Sequence, residues 1–136
     1  MKAFKKKYED DGFFVKHHFI DKDHVREIVK EINNLKDNVD FYYDKKGDLR
    51  RIERLYNKGE ALKSANNKAM DLLKKVFDTE FIIFKDKFNA KPPGGEGFFA
   101  HYDGIFKWKD KNLNYRKGWY DYTDYFINAL VALDPN

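Results

Sequence analysis

The chain is 136 residues long, 42% hydrophobic and 37% charged, which is room for one domain, residues 1–136, able to bury its own core. Its net charge of +4 comes from 27 basic residues interleaved with 23 acidic ones, so no concentrated basic face marks a nucleic-acid binder. No apolar run is long enough to cross a bilayer, and the absence of cysteine excludes disulfides, zinc-thiolate sites and iron–sulfur clusters.

The basic start, Lys5-Lys6-Lys7, runs into Tyr8-Glu9-Asp10-Asp11 rather than an apolar signal region, so a cytoplasmic location is expected. Thirteen Phe, nine Tyr and two Trp predict a core built largely from rings. Phe4 and Tyr8 lie one helical turn apart, and Gly12 is placed to end a first helix. Gly12-Phe13-Phe14-Val15 then reads as a strand. The next helix begins after Asp21, a good N-cap, with Ile20 and Val25 placed as a hydrophobic staple. Val25, Ile28, Val29, Ile32 and Leu35 form its apolar stripe. Asp44-Lys45-Lys46-Gly47-Asp48 marks a hairpin or loop. Leu62, Ala65, Ala69, Leu72 and Val76 mark another amphipathic helix that ends near Asp78.

After Thr79 the period changes to two. Ile82, Phe84, Asp86, Phe88 and Ala90 alternate with Phe81, Ile83, Lys85, Lys87, Asn89 and Lys91, which predicts a strand over 81–91. Pro92-Pro93-Gly94-Gly95-Glu96-Gly97 must be a loop, because prolines and glycines hold a ladder badly. A short strand is expected from Phe98 to Asp103, a long aromatic loop from Lys107 to Tyr122, and a last strand from Tyr125 to Leu133. Helices followed by strands, with little alternation between them, argue an α+β fold.

His101-Tyr102-Asp103 carries the chemistry. Residues two apart in a strand point to the same side, so an imidazole nitrogen and a carboxylate oxygen can reach one metal ion. Those two donors are two-thirds of the 2-His-1-carboxylate facial triad of non-haem Fe(II) oxygenases. The bare pattern is common by chance; its setting is less so. The stretch from Phe84 to Asp103, with Lys87, Asn89, the Lys91-Pro92-Pro93-Gly94-Gly95 turn and then His101-x-Asp103, closely resembles the phytanoyl-CoA dioxygenase family. Tyr8 to Val15, running into the helix capped by Asp21, resembles the family's opening. Asn128 to Asp134 resembles the strand after its iron motif. The family usually has Gln between the two ligands where this chain has Tyr102.

The resemblance implies a partial double-stranded β-helix, a jelly roll with amino-terminal helices packed on its major sheet. It implies Fe(II) held by His101 and Asp103, with 2-oxoglutarate as co-substrate. Lys87 and Asn89, and more weakly Asn128, would line the co-substrate pocket. Tyr102 and Trp108 are candidates for the wall of a small-molecule substrate pocket, Trp119 and Tyr122 less so. His17, His18 and His24 read as surface or packing residues. The family also needs a distal histidine and an arginine clamp, yet no histidine follows His101 and the last arginine is Arg116. Three readings follow: part of a dioxygenase, a half-enzyme completed by a second chain or a homodimer, or a ligand-binding module without the chemistry.

Overall fold

The helical signals translate into structure with little change. The computed structural model describes residues 1–36, 38–94, 100–102, 104–123 and 125–133. Helix α1 (Lys2–Asp11) stops at Gly12, whose φ of 80° lets its N–H reach the Tyr8 carbonyl. Helix α2 (Lys22–Asn33) starts where Asp21 accepts the His24 N–H at 2.7 Å. That hydrogen bond holds the Asp21 carboxyl below the usual carboxylate range. The next elements are strands β1 (Asp40–Tyr43) and β2 (Leu49–Glu53), then helix α3 (Glu60–Phe77), which Asp78 stops at a φ of 53°.

The start of α3 has no side-chain cap of its own, because its N-cap is Gly59. Glu31 of α2 supplies one across the helix pair. Its two carboxylate oxygens accept the Ala61 and Leu62 N–H groups, each at 2.9 Å. His24 adds a second tie, its Nε2 lying 2.9 Å from the Ala61 carbonyl. Since a carbonyl only accepts, Nε2 carries the proton, and Nδ1 is left to accept from Lys68 Nζ at 3.3 Å.

Strand β3 (Lys87–Asn89) completes a three-stranded antiparallel sheet in the order β1-β2-β3. Between β1 and β2 lies the hairpin turn anticipated at Asp44–Asp48, where the Asp44 carboxylate accepts the Lys46 and Asp48 N–H groups. Phe41, Ile52 and Phe88 stand opposite one another and form the apolar face. Ile28 and Ile32 of α2, Leu62 and Ala65 of α3, and Leu55 close over Ile52. Ile28 and Ile52 are almost completely buried, each stabilising the fold by about 1.5–3 kcal/mol relative to exposure. Leu49 packs on this core too, although it is three residues from Ile52. The β2 strand carries an extra residue there: Tyr42 faces Arg51 while Tyr43 faces Leu49, so Arg50 is the bulge that resets the phase.

Several strand expectations are corrected. Phe13–Val15 forms no strand; Phe14 instead stacks on Phe4 of α1, ring centroids 4.9 Å apart. The strand expected over 81–91 shrinks to Lys87–Asn89. Arg54, at a φ of 64°, turns the chain away after Glu53, and the Leu55 N–H donates to the Asp86 side chain at 3.1 Å. With no ladder to hold it, Phe81–Lys85 changes phase, and Ile82 is left 88% exposed. Residues 125–133 likewise pair with no strand among the described residues, though Ile127, Val131 and Leu133 are half-buried and Asn128, Leu130 and Ala132 exposed. In α3 the buried residue of the last turns is Leu73 rather than Leu72.

The chain divides into two compact units, Met1–Gly95 with Val131–Asn136, and Glu96–Leu130. In the smaller, the stretch expected as a loop over 107–122 forms an antiparallel ribbon, β4 (Trp108–Lys109) with β5 (Tyr115–Arg116), then a 3₁₀ helix, Gly118–Asp121. The ribbon turn repeats the first hairpin's chemistry: the Asp110 carboxylate accepts the Asn112 and Asn114 N–H groups. The described residues are thus mixed α+β, with helices on one face of a small sheet. Among them no helix is long and apolar enough to cross a membrane.

The Glu31 bridge makes a direct prediction. Glu31→Ala leaves two helix N–H groups without their acceptor and should cost about 2–3 kcal/mol, measured by urea unfolding. Gly59→Ala should lose most of the same amount, because its new methyl group would occupy the Glu31 carboxylate's place. Unfolding midpoints equal to wild type for both variants would contradict the bridge.

Candidate functional site

Two sets of candidate residues lie in different units. The first is the polar face of the β1-β2-β3 sheet, opposite Phe41, Ile52 and Phe88. Register places Asn89 directly across from Arg51 and Lys87 directly across from Glu53. Directly opposed residues share a face, so these four side chains project together. Lys87 and Asn89, predicted as co-substrate contacts, are both exposed there. Arg51 is half-buried, with its guanidinium 4.3 Å from the Tyr42 ring centre. Glu53 is buried, its Oε1 lying 3.0 Å from both Arg51 Nε and Lys85 Nζ. These are ion pairs without hydrogen-bond alignment, since neither N–H aims well at the oxygen.

Beside this face runs an open groove of about 830 Å³, walled by Tyr56, Asn67, Met70 and the extended Phe81–Asp86 segment. Asp86 is among its lining residues. Burial pushes its carboxyl above the usual carboxylate range, against the opposing hydrogen bond from the Leu55 N–H.

The second set is the iron motif of the smaller unit. His101 and Tyr102 are exposed, Tyr102 at 83%, and residues 100–102 are not in a strand. Asp103, the second predicted ligand, lies outside the described residues, as do Phe98 and Phe99 of the expected strand. Gly104 follows at once, buried, with a φ of 80°. Its carbonyl accepts the Trp119 N–H at 3.0 Å. Gly118, at a φ of 74°, lies so close that a Cβ there would collide with that carbonyl. A Cβ on Gly104 would in turn press on the Trp119 ring. The two glycines therefore clasp the segment that leaves the motif onto the 3₁₀ helix. Trp108 is half-buried and stacks on Tyr122 at 6.5 Å with the rings 10° apart, and Asn128 is exposed.

The donors of His101 and Asp103 fit Fe(II) in kind, one imidazole nitrogen and one carboxylate oxygen, but they are two where a triad has three. Among the described residues no three His, Cys, Asp or Glu side chains gather to complete such a set. Arg51 and Glu53 on the sheet face, and Gly104 and Gly118 beside the motif, shape these two regions, and the sequence pattern does not single them out. For the glycine clasp the available signal is a glycine directly after the His-x-Asp pattern and another in the aromatic stretch.

Comparison of the chain with protein-family models, with curated proteins and with solved structures gives no significant match.

The clasp is testable against a glycine of similar backbone. Gly12 has the same φ of 80° but open space where a methyl group would stand, so Gly12→Ala should cost only about 1–2 kcal/mol of left-handed strain. Gly118→Ala carries that strain plus a backbone collision, and should also shift the amide resonances of residues 100–106. Undisturbed resonances there would show that the clasp does not hold the motif segment.

Proposed function

We propose that these residues are part of a non-haem Fe(II)- and 2-oxoglutarate-dependent oxygenase of the phytanoyl-CoA dioxygenase kind, which oxidises a small molecule. The observation that carries this reading is the ordered block from Lys87 to Asp103: a strand, a Pro-Pro-Gly-Gly turn and a His-x-Asp motif. Lys87–Asn89 is a strand, and Gly94 beyond it takes a φ of 71°, as a turn needs. Helices covering one face of the sheet agree with the double-stranded β-helix that the reading implies.

His101 and Asp103 would hold the metal through Nε2 or Nδ1 and a carboxylate oxygen. When bound, Fe(II) with 2-oxoglutarate supplies the oxidising power for hydroxylation-type chemistry. The chain's own residues do the binding and orienting. Lys87 brings an ammonium, and Asn89 and Asn128 bring amides, suited to a dianionic co-substrate. Tyr102 and Trp108 offer aromatic surface to a small substrate. On this reading the distal histidine and the arginine clamp come from residues outside these 136, either a continuation or another chain.

Succinate formation tests the reading. With Fe(II), ascorbate and 2-oxoglutarate, these 136 residues alone should form no succinate above background. Joined to a segment that supplies the distal His and Arg, they should form it, and His101→Ala should abolish it. Substantial succinate from the 136 residues alone, or turnover indifferent to His101→Ala, would overturn the assignment.

A further inference from the structure

Two segments of this chain have the residues of a strand and, among the described residues, no strand beside them. Phe81–Phe84 and residues 125–133 are both rich in the β-branched and aromatic side chains that favour sheets. Among the described residues, Phe81, Ile82 and Ile83 make no backbone hydrogen bond, and neither do residues 127–133. Each segment is anchored by one face. Phe81 sets its ring at a steep angle to Phe77 of α3, centroids 6.0 Å apart, and Leu133 packs on the larger unit's core. The opposite faces stand in solvent: Leu130 is 91% exposed and Ile82 88%, more than any other large apolar side chain among the described residues. The groove of about 830 Å³ lined by Phe81–Asp86 leaves room along the first segment for a further chain.

We propose that these two segments pair with each other between two copies of the chain, Phe81–Phe84 of one copy forming a ladder with residues 127–131 of the second. Every copy carries both segments, so the exchange is reciprocal and closes a two-fold dimer. A strand is the occupant that offers N–H and C=O groups at the spacing an extended backbone needs. Charge then selects which strand. Self-pairing of the first segment about a two-fold sets one residue opposite itself. Centred on Ile82 it brings Asp78 against Asp86, and centred on Ile83 it brings Glu80 against Asp86, like charges that destabilise a ladder. Tyr125 to Leu133 carries no charge, so it meets Phe81–Phe84 without repulsion and without burying an ion. Ile82 and Leu130 are then covered together, and two open strand edges that invite unspecific pairing are closed. The pairing uses neither His101 nor Asp103, so it stands apart from the oxygenase reading.

Sedimentation of the 136-residue chain over a range of concentrations tests the pairing, with Ile82→Lys, Leu130→Glu and an equimolar mixture of the two variants. Both positions are exposed, so each variant should keep the wild-type amide spectrum outside residues 80–86 and 125–133. Wild type should form a dimer whose share rises with concentration. Either variant alone should raise the dissociation constant by about tenfold or more, because a charge replaces an apolar contact at both ladders. The mixture should associate again. There Leu130 of the Ile82→Lys chain still meets Ile82 of the Leu130→Glu chain, and the second ladder sets a lysine against a glutamate. A wild-type chain that stays monomeric would overturn the proposal. So would a dimer indifferent to Leu130→Glu, which would mean self-pairing of Phe81–Phe84, or a mixture no more associated than its components.

Discussion

The architecture of the larger unit depends on one carboxylate. Helix α3 begins at a glycine and has no cap of its own, so its first amides need an acceptor from elsewhere. Glu31 reaches over from α2 and takes two of them at once, and Gly59 is the residue that leaves room for it. The contact is more than a cap. It sets the angle and register of α2 against α3, and the His24 contact with Ala61 fixes the same corner from two turns earlier in α2. With the two helices locked together, Ile28, Ile32, Leu62 and Ala65 present one continuous apolar surface, and Ile52 is sealed beneath it.

Sealing one face of the sheet defines the other. Because β-strand side chains alternate, burying Phe41, Ile52 and Phe88 under the helices sends Tyr42, Arg51, Glu53, Lys87 and Asn89 to the opposite side. The bulge at Arg50 matters here, since it allows Leu49 to join the core without turning Arg51 inward. Glu53 is buried among cations instead of apolar groups, an arrangement that removing one partner would leave as an uncompensated charge. The helices therefore stabilise the sheet, and the sheet's outer face keeps a set of polar groups with a fixed mutual register.

What the sequence showed in advance was local. The stripe of α2, the Asp21 cap, the end of α1 at Gly12 and the Asp44–Asp48 turn each depend on residues within a few positions of one another. Strands depend on partners far along the chain, and alternation alone does not name those partners. The alternation of Phe81 to Lys91 is real, but it could not reveal that Arg54 would leave β2 and that Asp86 would take the Leu55 N–H. Arg51 was hidden because Leu49-Arg50-Arg51-Ile52-Glu53 has no clean two-residue period, the bulge having broken it. The Gly104–Gly118 clasp joins positions far enough apart in the chain to leave no periodic trace. The His-x-Asp pattern is local too, two donors on one side of an extended segment, and the resemblance adds only its setting, while its second ligand lies outside the described residues.

Binding of a divalent metal by His101 and Asp103 together is the point on which the proposed chemistry turns. Mn(II) titration followed by water-proton relaxation, on the wild-type chain, His101→Ala and a His17→Ala control, tests it most directly. Weak but saturable binding is predicted, because two ligands hold a metal less tightly than three. His101→Ala should remove that binding while His17→Ala leaves it intact. Superimposable curves for wild type and His101→Ala would contradict the assignment.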